Sequence, residues 1–213
     1  MGGVKRVVKD KPNRKERRLL IVGTEGGKNT EQLYLRGLER TQNKYHIIFA
    51  SGNDTDAKSI VESTAATAKK EGIDRRFGDR AFSVFDLDLD RQKIGLYNAA
   101  CETASSSKVE VLTSNPTFEL WLLLHFEYST RQYSNAKELE RHLKRYLPKY
   151  TKTDIQFEEL YPRRFDAIAN AMKLVEFQEQ NGTEQIEVFN NPITYVHKLA
   201  ELLSGEVEKG SSL

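Results

Sequence analysis

Four short runs of apolar, β-branched or aromatic residues mark the first half of the chain: Arg18–Gly23, Tyr45–Ala50, Ala81–Asp86 and Val109–Thr113. Their length and composition predict strands. Between them apolar positions recur at helical spacing. Leu33, Leu35 and Leu38 follow the first run; Ala57, Ile60, Val61, Ala65 and Ala68 follow the second, with Asp54 placed to cap that helix. A weaker helical segment spans 91–106. Strand and helix in alternation predict a mainly parallel four-stranded α/β sheet with helices on its faces. Ligands collect at the carboxyl ends of such strands.

After residue 113 the pattern changes. Ser114-Asn115-Pro116 reads as a helix start, with Asn115 as cap and Pro116 at the first helical position. The run Thr117 to Phe126, TFELWLLLHF, is apolar almost all round, which predicts a buried helix. Leu139, Leu143, Tyr146 and Leu147 mark an amphipathic helix, and Phe165, Ile168, Ala169, Met172 and Val175 mark another. A third, capped by Asn191 before Pro192, carries Val196, Leu199, Ala200 and Leu203. The chain therefore divides into a basic arm (1–16), an α/β domain (17–127), a helical extension packed on it (128–203) and a polar tail (204–213). No internal repeat and no coiled-coil pattern interrupts this order.

Composition narrows the classes. With 213 residues, 38% of them apolar, the chain can bury a real core. No run approaches the eighteen or so apolar residues of a membrane span. The first residues carry charges where a secretory signal needs an apolar segment, and Arg6 stands where myristoylation needs Ser or Thr. A cytoplasmic location is the expectation. One cysteine, Cys101, excludes an internal disulfide and argues against a thiolate zinc site. Net charge is only +2, but Lys5, Arg6, Lys9, Lys11, Arg14, Lys15, Arg17 and Arg18 crowd the N-terminus. Such an arm either holds phosphates or is a solvated leader.

Candidate chemistry begins at residues 22–31, VGTEGGKNTE. A Walker loop requires G-x-x-x-x-G-K-[ST]; here Gly23 and Gly27 are one residue too close and Asn29 replaces the hydroxyl residue. The G-x-G-x-x-G fingerprint is also absent. What remains is Glu25 at a strand tip, a glycine turn, and Asn29 or Thr30 capping a helix whose first turn holds Glu31 and Gln32. The third run ends in Phe85-Asp86-Leu87-Asp88-Leu89-Asp90. In extended chain Asp86 and Asp88 share a face. Two carboxylates held together repel unless a cation offsets them, and hard oxygen ligands suit Mg²⁺ or Mn²⁺. The competing interpretation is a solvated acidic turn.

An acid in a glycine turn after the first strand, with D-x-D after a later strand, is similar to the Toprim domain of topoisomerases, primases and OLD-type nucleases. More closely, LLIVGTEGGKNTEQLYLRGL, VFDLDLD and SNPTFELWLLLHF together resemble the RloB family, also called AbiLii-like, of bacterial phage-defence proteins. NPITYVHKLAELL adds a weaker match, and the resemblance spans roughly residues 17 to 203. Gly27 and Asn29 lengthen the glycine turn relative to the family habit, and Thr24 precedes the acid. The resemblance implies a Mg²⁺-dependent Toprim-like nuclease acting on RNA (tRNA included) or DNA in abortive infection, often beside an AAA-type ATPase partner. It further implies that Glu25 is a general base or acid, that Asp86 and Asp88 hold the metal together with Glu25, and that Lys28 stabilises developing charge.

Three other features bear on function. Glu119 sits one turn into an apolar helix, where burial demands a partner: a metal, the substrate, or a structural ion pair. It completes the candidate catalytic set of Glu25, Lys28, Asp86, Asp88 and Glu119. His125 reads as a satisfied core histidine. Arg141, Lys144, Arg145, Lys149 and Lys152, with Tyr146 and Tyr150 interleaved and Arg163 and Arg164 beyond, form either a nucleic-acid surface or the wet side of a helix. The functions in competition are a nuclease, a nucleotidyl-transfer enzyme on the same acids, and a non-catalytic subunit docking on the ATPase. Homo-oligomerisation is left open.

Overall fold

The computed structural model describes residues 17–26, 29–50 and 56–205. The arm, residues 206–213 of the tail, Lys28 and Asp54 lie outside them. The elements run β1 (Arg18–Thr24), α1 (Thr30–Arg40), β2 (Tyr45–Phe49), α2 (Ala57–Glu71), β3 (Arg80–Asp86), α3 (Ile94–Ser107), β4 (Glu110–Asn115), α4 (Glu119–Leu123), α5 (Ala136–Leu143), α6 (Phe157–Leu160), α7 (Arg164–Asn181), β5 (Ile193–Thr194) and α8 (His197–Ser204).

The sheet has the order β2-β1-β3-β4-β5. Its first four strands are parallel, as the alternating pattern predicts. The expected four-stranded sheet is, however, a mixed sheet of five. Thr194 and Ile193 pair antiparallel with Ser114 and Asn115, covering the edge of β4. Two residues are too few to leave a period in the sequence. The helical second half therefore contributes to the sheet itself.

Alternation along the strands fills two cores. Leu20 and Val22 of β1, with Phe82 and Val84 of β3, face a large cluster that includes Leu35, Trp121, Leu139, Leu174 and Leu199. Ile21, Ala81 and Phe85 face the other way, onto Ile60, Val61, Ala100 and Ala104 of α2 and α3. Burial on both faces explains why these strands read as continuous apolar runs. Gly23 permits the closest approach: a Cβ there would lie 2.1 Å from Thr64 Oγ1. Thr64 Oγ1 in turn bonds Ile60 O and Ser83 Oγ, tying α2 to β3.

Several expected helix caps take other roles. Asn29 caps α1, its side chain accepting from Gln32 N. Asp56 caps α2. Asn115 caps nothing. It ends β4 and precedes a cis peptide to Pro116, and α4 starts only at Glu119. Its amide donates to Phe189 O and Asn190 O and accepts from Leu89 N, so tertiary partners took the side chain that a local cap would have used. Asn191, also before a cis proline, binds the backbone of Tyr133 instead of starting α8. Met172, expected in a helix core face, is exposed on α7. Among the described residues no helix is long and apolar enough to cross a membrane.

Candidate active site

The order β2-β1-β3-β4 reverses direction between β1 and β3, and at such a switch point a crevice opens outside the carboxyl ends of the strands. Glu25 follows β1 and Asp86 ends β3, so both stand there. Gly26 turns the chain with φ +64°, a conformation that glycine adopts without strain. Asn29 donates to Glu25 O, bonding the cap of α1 to the turn. Glu25 Oε1 accepts from Asp86 N at 3.2 Å. A cleft of about 70 Å³ is lined by Glu25, Asp86, Leu87 and Lys93, with Asp56 and Tyr97 at its other walls.

Asp88 departs from the sequence expectation. The strand stops at Asp86, and Asp88 and Leu89 adopt φ of +51° and +61°. The extended alternation that would align Asp86 with Asp88 therefore ends between them. The chain is bent by three bonds to the next strand end: Leu87 N to Ser114 O, Asp88 N to Pro116 O and Leu89 N to Asn115 Oδ1. Asp88 is held by Lys93 Nζ at 2.6 Å.

Glu119 enters from the far side. It is buried, and Tyr150 OH donates to its Oε1 at 2.6 Å while Thr117 Oγ1 donates to its Oε2 at 2.5 Å. Tyr150 OH also meets Thr30 Oγ1 at 3.2 Å, joining α4 to the start of α1. Tyr150 is thus a buried positioning group, which removes it from the stacking groups of the candidate nucleic-acid surface.

Charge is where these residues interact most. Burial raises the pKa of Asp86 well above the usual carboxylate range, and repulsion from Glu31, Glu119, Glu25 and Asp88 adds to it. Burial also raises Glu25, against the opposing effects of the Asp86 N–H and Lys93. Glu31 is pushed up to about 7, first by burial, then by Glu119 and Glu25. Glu31 was not in the predicted catalytic set, although it lies in the first turn of α1. The missed signal was its place one helical turn beyond a glycine loop that already carries an acid. Lys93 was missed too. Burial opposes its charge, but the bond to Asp88 and the nearby carboxylates more than restore it, so its pKa rises.

The remaining candidates fall away from the cleft. His125 Nδ1 faces Trp121 O, which only accepts, so Nδ1 carries the proton and Nε2 accepts from Tyr34 OH at 3.0 Å. Burial lowers its pKa to about 3, and it stays neutral in the core. Arg141, Arg145, Lys149 and Lys152 are exposed, while Lys144 pairs with Glu140. Tyr146 stacks on Phe126, with ring centroids 5.1 Å apart and Arg163 over the same ring. Of the basic stretch, Lys152 is the member whose field reaches Glu25 and Glu31.

The metal expectation meets a mixed result on these side chains. Among the described residues no group of three His, Cys, Asp or Glu stands ready to hold a metal ion. Both oxygens of Glu119 have protein donors, and Asp88 is drawn to Lys93. The donor chemistry nevertheless suits a hard divalent cation, because Glu25, Glu31, Asp86 and Glu119 lie within one another's fields and all offer carboxylate oxygens.

Fold and site together define an α/β protein with a cluster of buried and half-buried carboxylates at the switch point of a mixed five-stranded sheet. The model of the RloB-like protein family matches residues 19–203, and the chain belongs to that family. Comparison with curated proteins and with solved structures gives no match.

Proposed function

We propose that this protein is a Toprim-like, Mg²⁺-dependent phosphodiesterase that cuts nucleic acid, with RNA such as tRNA as the first substrate to test, and that it serves as an effector of anti-phage abortive infection. The observation that carries the proposal is the crowding of Glu25, Glu31, Asp86 and Glu119 at one strand edge. The neighbouring carboxylates there raise the cost of ionising Asp86 and Glu31. A fold keeps such a cluster at a cost in stability, and a bound cation offsets that cost while providing chemistry.

Asp86 and Glu25 would hold the ion, with Asp88 joining when it releases Lys93. Bound there, the ion would supply charge neutralisation at a scissile phosphate. The chain's own groups account for the rest. Lys93 keeps a positive charge facing the cleft, where a phosphate oxygen gains from it. Glu31, titrating near neutral pH, is matched to accept or give a proton at its carboxylate. Tyr150 and Thr117 orient Glu119 and keep its charge hydrogen-bonded.

The test is cleavage of labelled tRNA, plasmid and single strands in Mg²⁺ and in EDTA. Wild type should cut at least one of them only with the metal, and Glu25→Gln and Asp86→Asn should each lose on the order of a hundredfold or more in rate. Equal activity of the folded variants would refute the assignment. The family habit of an AAA-type ATPase neighbour makes addition of that partner a necessary second arm of the assay.

A further inference from the structure

The loop after β3 serves two hollows. Asp86 and Leu87 line the carboxylate cleft, whereas Leu89 and Arg91 line a second, larger cavity of about 520 Å³ together with residues of α7 and the segment before β5. Leu89 lies three positions after Asp86, so the two walls lie within about 10 Å of chain. The cleft and the cavity are thus walled by one segment, residues 86–91.

The cavity differs from the cleft in charge. Its Arg91 and Glu184 bond each other, so their charges cancel at the wall. Asn115, Asn190 and Asn191 line it as well, but their amides are engaged with backbone, which makes that side rigid. Gly182 closes it tightly, since a Cβ there would lie 2.2 Å from the Asn190 amide nitrogen. Against this wall stand the hydroxyls of Thr130 and Thr183, the amide of Gln132 and the ring of Phe177, which is 37% exposed.

A neutral hollow with amides, hydroxyls and one open aromatic face does not select an anion. It suits a flat, uncharged ring edged with donors and acceptors, which is a nucleobase: amide side chains match base edges, and unpaired bases stack on aromatic rings. We infer that this cavity takes one unpaired base of the strand whose phosphate lies at the carboxylate cleft. The inference rests on the nuclease assignment for the strand's position. It adds that recognition is of a splayed base and lies outside the catalytic cluster.

The experiment measures binding of the full chain, in Ca²⁺ to slow cleavage, to a short fluorescent single strand and to an abasic strand of equal length. Wild type should prefer the strand with bases. Phe177→Ala should reduce that preference by between about 5- and 150-fold, the range for removing one stacking platform, without changing affinity for the abasic strand. Gln132→Ala should alter which base is preferred. Thr183→Trp, at an exposed position, should fill the cavity and abolish the preference. Equal affinity of wild type for both strands, or no binding of either, overturns the inference, as does an unchanged preference in the folded Phe177→Ala and Thr183→Trp proteins. Metal-dependent cleavage with no preference for bases sinks the cavity's role alone. Base-dependent binding without cleavage under any metal or partner condition sinks the nuclease assignment and leaves the cavity standing.

Discussion

Glu31 offers the sharpest test of the electrostatics, because its cost can be worked out. The residue is 6% exposed and its pKa stands at about 7 against 4.5 in the unfolded chain. The folded state therefore holds a proton that the unfolded chain gives up. Stability from this group is fully present below pH 4.5 and is lost as pH rises through 7. The difference between about 7 and 4.5 corresponds to about 3 kcal/mol, as an upper figure, because the charges of Glu119 and Glu25 contribute to it. Glu31→Gln keeps the shape and removes the charge. In EDTA at pH 8 the variant should be more stable than wild type by up to about 3 kcal/mol, and near pH 4.5 the two should coincide. For a chain of this size that is up to roughly 10 °C in midpoint at the higher pH. Thermal unfolding across pH 4.5 to 8, with and without Mg²⁺, measures it. The cation should shrink the gap by stabilising the charged wild type. Parallel pH profiles for the two proteins in EDTA would show that Glu31 is not held in the crowded environment described.

Three further outcomes follow from the packing. Gly23→Ala drives a methyl into Thr64 and Ile60 and should cost about 1–3 kcal/mol in chemical unfolding; a change under about 0.5 kcal/mol would mean that α2 moves freely on β1. Tyr150→Phe removes one of the two donors to Glu119 and should cost about 1.5–3 kcal/mol in chemical unfolding at neutral pH; a loss under about 0.5 kcal/mol would show that the hydroxyl does not serve the carboxylate. Asn115→Leu removes the acceptor for Leu89 N and should speed hydrogen exchange at the Asp88–Leu89 turn, while amides of β1 keep their protection; unchanged exchange at Leu89 would remove Asn115 as the anchor of that loop.

The chain's own pattern determined the four parallel strands, the helices between them, the buried run at 117–126 and the strand-end acids Glu25 and Asp86. Each of these leaves a periodic or local trace: continuous apolar runs where both sheet faces are covered, a glycine turn, an asparagine before a helix. The tertiary structure decided what had no such trace. A two-residue strand at Ile193–Thr194 exists because β4 presents an open edge. Asn115 and Asn191, legible as caps, are taken by distant backbone instead. Asp88 leaves the face of Asp86 because the chain bends onto β4, and Glu31 and Glu119, 88 residues apart in sequence, share one field because α1 and α4 meet at the same sheet edge. Local pattern is set by short-range sterics and burial. Which charges come to share a low-dielectric space is set by the long-range contacts that only the folded chain makes.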